Sequence, residues 1–219
     1  ENIASICRRL GRNAAEITLV GVTKYATPAQ IKEAFEGGLH HIGENRVQEA
    51  KEKFSVLDAL HVKVTKHMIG HLQTNKVKQA LAMFDLIQSV DSIKLVKEIE
   101  IQAEKLRKQV DILIEVNTSQ EKQKFGIHKN EILPLIEEIS RCVHIRLLGL
   151  MTMAPLTEDQ DRIRGCFRDL RELADALEDK FLGDTRIDMK YLSMGMTDDY
   201  EIALEEGANM VRIGRAIFG

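Results

Sequence analysis

Along this chain, short apolar runs alternate with longer stretches whose apolar residues fall at helical spacing, and turn residues separate the two kinds. The first strong run, Ile17-Thr18-Leu19-Val20-Gly21-Val22-Thr23-Lys24, is rich in branched side chains and lacks helical spacing, which predicts a strand buried on both faces. Thr27 then stands as a helix N-cap, with Pro28 at the first helical position and Gln30 completing a capping box. A helix over 28–36 follows, stopped by Gly37-Gly38. Ahead of the strand, Ile3, Ile6, Cys7 and Leu10 predict a helix over 3–10. The alternation continues with strands at 39–43, 62–70, 86–90, 110–116, 145–151, 189–192 and 210–213. Between them, helices are expected over 46–58, 75–83, 132–139 and 198–206, the last stopped by Gly207. Two longer ones carry clear stripes: Leu95, Val96, Ile99, Ala103 and Leu106 behind a cap at Asp91 or Ser92, and Ile163, Phe167, Leu170, Leu173, Leu177 and Phe181.

Eight strands, each followed by helical or, at the end, incipiently helical sequence, predict an α/β fold of one closed (β/α)8 barrel. A parallel sheet of that size has no exposed edge once it closes; an open doubly wound sheet is the alternative. At 219 residues the chain is short for a barrel, below the roughly 250 that are usual, so lean loops and a single domain over 1–219 are expected. No internal repeat or low-complexity segment stands out, and none of the three prolines marks a linker.

Composition narrows the classes. With 44% hydrophobic and 30% charged residues the chain reads as a folded domain, and a formal charge of −3 gives no global reason to bind nucleic acid or an anionic membrane surface. No apolar run approaches the roughly 20 residues that span a bilayer. Cys7, Cys142 and Cys166 are odd in number and lack paired spacing, so neither a disulfide framework nor a CxxC knuckle is predicted, which suits a reducing, cytoplasmic setting. The N-terminus reads as a charged helix and not as a secretory signal, and the start at Glu1 leaves room for an upstream segment removed earlier.

The candidate chemistry lies at the strand ends. Lys24 sits where the first buried strand gives way to its loop, the end of a parallel sheet where ligands bind; position alone leaves it an ordinary solvated lysine. After the seventh and eighth strands come Ser193-Met194-Gly195-Met196-Thr197-Asp198-Asp199 and Val211-Arg212-Ile213-Gly214-Arg215-Ala216. Barrels commonly build a phosphate site there, with Ser193 donating its hydroxyl and Gly214 and Arg215 their amides, while Gly195 keeps the passage open. A lysine and a phosphate cradle on one mouth suit a phosphorylated aldehyde held as a Schiff base, and a lysine in that role benefits from partial desolvation. Pyridoxal 5'-phosphate is the evident candidate.

Five blocks and the closing run carry a resemblance: Val22-Thr23-Lys24, Gly43-Glu44-Asn45-Arg46-Val47-Gln48-Glu49, His67 to Lys76, Gly149-Leu150-Met151-Thr152-Met153, Leu192 to Asp199, and Val211 to Gly219. In order and over nearly the whole chain, these resemble the pyridoxal phosphate homeostasis proteins, the YggS/PROSC family. Departures are small: Thr74 and Thr197 stand where many members have serine, and both keep a hydroxyl. The resemblance implies a barrel like the N-terminal domain of alanine racemase, of fold type III among pyridoxal phosphate proteins, with the coenzyme on Lys24. It implies phosphate contacts from Ser193, Gly214 and Arg215, with Met196 in the same loop. Arg212 would approach the pyridine nitrogen, Asn45 the ring oxygen, and Ile69 and Met151 would serve as walls. An arginine at that nitrogen cannot accept the proton that makes the ring a strong electron sink.

Two function classes remain on a shared barrel. A racemase needs acid/base groups on both faces of the coenzyme; Lys24 supplies one, and none of Tyr25, Tyr191 and Tyr200 has an evident claim to the other. The alanine racemases add a C-terminal domain that helps build their dimer, whereas this chain stops just after strand eight. The preferred expectation is therefore a monomeric carrier that buffers pyridoxal phosphate or delivers it to apo-enzymes without strong turnover, with an amino-acid racemase as the alternative. A Schiff-base aldolase acting without coenzyme is a third option, but it leaves Arg212 without a reason. Other signals weigh less. His67 and His71 are four apart, but Met68 stands where HExxH needs glutamate, and Gly70 breaks the helix. His40 and His41 fall on opposite faces of a strand. The run Lys122, Lys124, His128 and Lys129 has only Phe125 beside it and reads as a solvated loop, and Met151 and Met153 read most simply as core or pocket filler.

Overall fold

A computed structural model describes residues 2–119, 121 and 125–219. Its eight strands are β1 (Thr18–Val22), β2 (His41–Glu44), β3 (Thr65–Met68), β4 (Leu86–Val90), β5 (Val110–Glu115), β6 (Ile145–Met151), β7 (Ile187–Ser193) and β8 (Met210–Ile213). All pair in parallel with their sequence neighbours, and β1 also pairs with β8, so the sheet closes into a (β/α)8 barrel. The helices are α1 (Ile3–Arg9), α2 (Pro28–Glu36), α3 (Val47–Ala59), α4 (Val77–Leu81), α5 (Ile93–Leu106), α6 (Ile132–Ile139), α7 (Gln160–Lys180), α8 (Tyr200–Glu205) and α9 (Arg215–Phe218).

Local chemistry starts these helices as the sequence suggests. The capping box at α2 is complete: the Thr27 N–H donates to Gln30 Oε1 at 2.9 Å, and the Gln30 N–H donates back to Thr27 Oγ1 at 3.3 Å. Ser92, not Asp91, caps α5, accepting from the Leu95 N–H at 3.4 Å. The outer core lies between strands and helices, where fully buried Phe167, Ile99, Ile31 and Leu57 meet the backs of the strands. A second, smaller cluster joins Val20, Leu86, Leu113, Met151 and Met210. These come from β1 and β8 on one side of the ring and from β4, β5 and β6 on the other, so they meet inside it.

Strand boundaries shift where pairing overrides apolar runs. The apolar sequence from Val62 suggests an earlier start for β3, but β2 begins at His41, whose partner is Thr65. Val62 is buried all the same, packed into the outer core from the connecting loop. In β7, exposed Asp188 and Lys190 hide the strand's first residues, which pair with β6 from Ile187 onward. The expected helix over 75–83 splits into a 3-10 turn at Thr74–Lys76 and the shorter α4. All three cysteines are buried, and none of them is in a disulfide. No helix among the described residues is long and apolar enough to cross a membrane. Lys122 and Lys124 lie outside the described residues.

One glycine sets the meeting of β6 and β7. Gly149 has φ +140°, and a Cβ there would stand 2.0 Å from the Tyr191 carbonyl oxygen. Backbone cannot withdraw as a flexible side chain can. Gly149→Ala is therefore expected to cost on the order of 3 kcal/mol in urea unfolding, and a loss under about 0.5 kcal/mol would show that the two strands part freely.

Candidate functional site

Lys24 leaves β1 two residues past its end, in the turn that leads to α2. The residue before it is held firmly. The Thr23 N–H donates to Gly43 O at 3.0 Å and its hydroxyl to Glu44 Oε1 at 2.6 Å, while its carbonyl accepts from Lys53 Nζ. Lys53, on α3, also pairs with Glu44 Oε1 at 2.5 Å; Glu44 is fully buried, so this ion pair works in a low-dielectric setting. Lys24 itself is exposed, its Nζ 5.1 Å from the Tyr25 ring centroid. The partial desolvation that would help such an amine is not provided here: its backbone is anchored and its side chain is exposed at the rim.

Two hollows, of about 620 and 420 Å³, open at this mouth and share Val22, Lys24, Met196 and Arg212 in their walls. Asn45, Ile69, Glu115 and Met153 line the first. Asn45 can approach because its neighbour is a glycine: a Cβ on Gly70 would lie 2.4 Å from the Asn45 carbonyl oxygen. Thr197, Gly214 and Arg215 line the second, where the bonds of α9 begin with the Ile217 and Phe218 N–H groups donating to Gly214 O, so that the Arg215 and Ala216 N–H groups lie ahead of the first helical bond. Arg215 pairs with Asp198 across that hollow's edge. The loop between them is fixed by Asp199, whose carboxylate accepts from the Met196 N–H at 2.5 Å; burial raises the pKa of that carboxyl.

Arg212 forms the floor where the hollows meet. It is 3% exposed, and donates from Nη1 to Ser193 Oγ at 2.7 Å and from Nη2 to the Thr152 carbonyl at 2.9 Å. Burial pulls its pKa down to about 10, with Glu115 and Asp199 acting the other way, so it remains a cation at neutral pH. Glu115 moves oppositely: burial, then the negative charge of Asp91, push its carboxyl up to about 7 against the pull of Arg212. The mouth thus holds an amine, a fixed cation, and a carboxyl that changes state near neutrality.

Seven of the residues expected from sequence, Lys24, Asn45, Ile69, Met196, Arg212, Gly214 and Arg215, line the hollows. Two do not. Met151 is fully buried in the cluster inside the ring, beneath the floor, and Met153 takes the wall position instead. Ser193 is fully buried under Arg212, and the hydroxyl residue that lines the cradle is Thr197. Sequence reading missed Glu115, although an acid near the C-terminal end of the apolar run 110–116 was its signal, and it missed the Glu44–Lys53 pair altogether. His67 and His71 separate: His67 turns into the barrel, whereas His71 stacks on Phe125 with centroids 4.2 Å apart and lies 3.2 Å from Asp91.

Similarity to known proteins follows the same outline. The family model described as "Alanine racemase, N-terminal domain" matches residues 1–219. The pyridoxal phosphate homeostasis protein of Aquifex aeolicus (strain VF5) is 40% identical over 219 residues, covering 100% of this chain and 93% of that protein. The chain belongs to the pyridoxal phosphate homeostasis protein family. A family member from Pasteurella multocida (strain Pm70) is 36% identical over the same share of each chain, 100% and 93%. PipY of Synechococcus elongatus PCC7942, a structure with pyridoxal phosphate bound, matches with a TM-score of 0.86 at 31% identity, each chain covered in full. These matches extend over the whole of this chain.

Glu115 makes the site's electrostatics measurable. Its folded pKa of about 7 lies above the ordinary 4.5, so between those values the folded protein keeps a proton that the unfolded chain has shed. Stability from this group is present below pH 4.5, is lost as pH rises to about 7, and is level beyond. The span amounts to on the order of 3 kcal/mol, at about 1.4 kcal/mol per pH unit. Glu115→Gln lacks the titration, so it should gain on the parent by that order between pH 4.5 and 8 in urea titrations; a pH-independent difference would refute the assignment.

Proposed function

We propose that this chain holds pyridoxal phosphate across the seam of the two hollows, attached through Lys24. Its role on this reading is intracellular coenzyme homeostasis: a monomer that buffers the coenzyme or delivers it to apo-enzymes, without strong turnover of its own. One observation carries the reading: an exposed amine, an anion cradle and a buried arginine share the walls of adjoining cavities at one barrel mouth. The names of the relatives and the coenzyme in PipY support it.

The residues present fit the group. When bound, pyridoxal phosphate supplies an aldehyde carbon that condenses with a lysine amine as a Schiff base. The Thr197 hydroxyl, the open N–H groups at the start of α9 and the Arg215 side chain would hold the phosphate. Asn45 would offer its amide to the ring oxygen, and Ile69 and Met196 would bracket the ring. Arg212 would meet the ring nitrogen as a cation; it donates and cannot take a proton, which withholds the electron sink that strong amino-acid chemistry needs. Ser193 and Met151 act from beneath, one through Arg212 and the other through the packed layer under the floor.

The runner-up is an amino-acid racemase, and Glu115 is the observation that favours it, since a pocket carboxyl near pKa 7 is suited to moving protons. The three tyrosines give no such support. Tyr25 is exposed at the rim, Tyr191 packs on the inner cluster and Tyr200 on the outer core.

Protein saturated with pyridoxal phosphate should show a visible imine band, and borohydride should fix a pyridoxyl group on Lys24. Lys24→Ala should lose both; an adduct mapped to another amine, or no band, sinks the proposal. Exchange of the α-proton of amino acids is expected to be negligible, and exchange abolished by both Lys24→Ala and Glu115→Gln would establish the racemase instead. Delivery is read from activation of an apo-enzyme with and without a scavenger of free aldehyde. Survival of activation in the scavenger marks direct transfer, and its loss marks buffering.

A further inference from the structure

Beneath the mouth, a chain of hydrogen bonds crosses the interior of the barrel. Arg212 Nη1 donates to Ser193 Oγ at 2.7 Å, and the Ser193 hydroxyl donates to Gln88 Oε1 at 2.7 Å. Gln88 Nε2 lies 2.8 Å from His67 Nδ1, and His67 Nε2 lies 3.0 Å from His41 Nδ1. The five side chains come from β8, β7, β4, β3 and β2, and Ser193, Gln88 and His67 are all 1% exposed or less. So costly a set of buried polar groups, in a ring otherwise filled by Val20, Leu86, Leu113, Met151 and Met210, calls for a purpose.

The chain has a direction, and arginine sets it. A guanidinium has donors only, so Ser193 must accept from it and pass its own proton to the Gln88 carbonyl. That leaves the Gln88 amide end facing His67 Nδ1, which must accept. His67 therefore carries its proton on Nε2 and donates to His41 Nδ1. Reversing the Gln88 amide would take from the Ser193 hydroxyl proton its acceptor and would require His67 to carry its proton on Nδ1, so the Gln88 orientation and the His67 tautomer go together. Both imidazoles belong in their neutral forms. Burial, then the charge of His41, push His67 down to about 3; burial, then His40, lower His41 against the opposing influence of Asp85.

We infer that Gln88 is a positioning residue for Arg212, and that His67 orients Gln88, so that a one-way chain of donors fixes the guanidinium at the floor of the mouth. The ligand side of this inference rests on the coenzyme reading above; the chain itself is tested on the protein alone. With ¹⁵N-labelled histidine, the NMR spectrum of the unliganded protein at neutral pH should show His67 as the neutral Nε2–H tautomer, and an Nδ1–H tautomer would overturn the direction. Gln88→Met, of similar size but without the amide, should weaken pyridoxal phosphate about tenfold and shift the absorption band of the bound coenzyme. Ser193→Ala should do the same, and the double variant should lose no more than the larger single loss. Parental affinity and band in Gln88→Met, or losses that multiply in the double variant, would refute the assignment. If Gln88→Met does not fold, His67→Leu applies the same test from the far end, since Gln88 then loses the acceptor that orients it. Should the parent take up no pyridoxal phosphate, the coenzyme reading alone fails, and the tautomer still decides the chain.

Discussion

Closure of the sheet through β1 and β8 is the constraint on which the rest depends. Their register sets Val20 opposite Arg212 and Gly21 opposite Ile213. Lys24 follows Val20 by four residues, and Gly214 and Arg215 follow Arg212 at once, so two segments from opposite ends of the sequence leave the ring side by side. The seam of the two hollows is a direct product of that pairing, since Val22 and Lys24 come from one partner and Arg212 from the other. An open sheet would place the same residues at two separate edges, and no shared cavity would form.

A buried arginine is the second constraint. Withdrawing a guanidinium from water is expensive unless its protons are taken up, and here Ser193 and the Thr152 carbonyl take them while Glu115 and Asp199 offset the charge. Burial acts on Arg212 and Glu115 in opposite senses, lowering one pKa and raising the other, yet the outcomes differ in kind. Arg212 stays charged across the physiological range, whereas Glu115 sits near half-protonation. The floor therefore presents a constant cation beside a variable carboxyl.

Most of the architecture was legible because periodicity reports burial, and burial decides which residues become strand or helix. All eight strands and the capping box at α2 follow from pattern alone. The displacements of Ser193 and Met151 share an origin: a side chain's direction at a strand end depends on where the strand stops and how the chain then turns. Ser193 is the last residue of β7 and points into the ring; Gly195, at φ +93°, then swings the loop so that Thr197 reaches the cradle. Both are hydroxyl residues within five positions, and only the turn between them tells them apart. Met151 and Met153 present the same case at the end of β6. The Glu44–Lys53 pair was invisible for another reason, because nine residues and a change of element separate its members, and no local spacing rule links them. Lys24 is exposed because its apolar neighbours in sequence, such as Val20 and Val22, stay within the ring while the lysine leaves it.

The contrast between the backbone at Thr23 and the side chain at Lys24 bears on what kind of protein this is. Hydrogen bonds at its N–H, hydroxyl and carbonyl, with a buried ion pair beside them, fix the residue before the lysine, so its Cα has a set position relative to the cradle. The amine beyond it stands in solvent over Tyr25. A catalyst gains from enclosing its reacting amine, because exclusion of water strengthens every charge in the site. A holder that must release its cargo gains from the reverse: a fixed base for fast recapture, and water at the bond that has to be hydrolysed for release. A rigid anchor combined with an open amine supports the holder proposed above, and the constant cation beneath it, which donates and cannot accept a proton, supports it further.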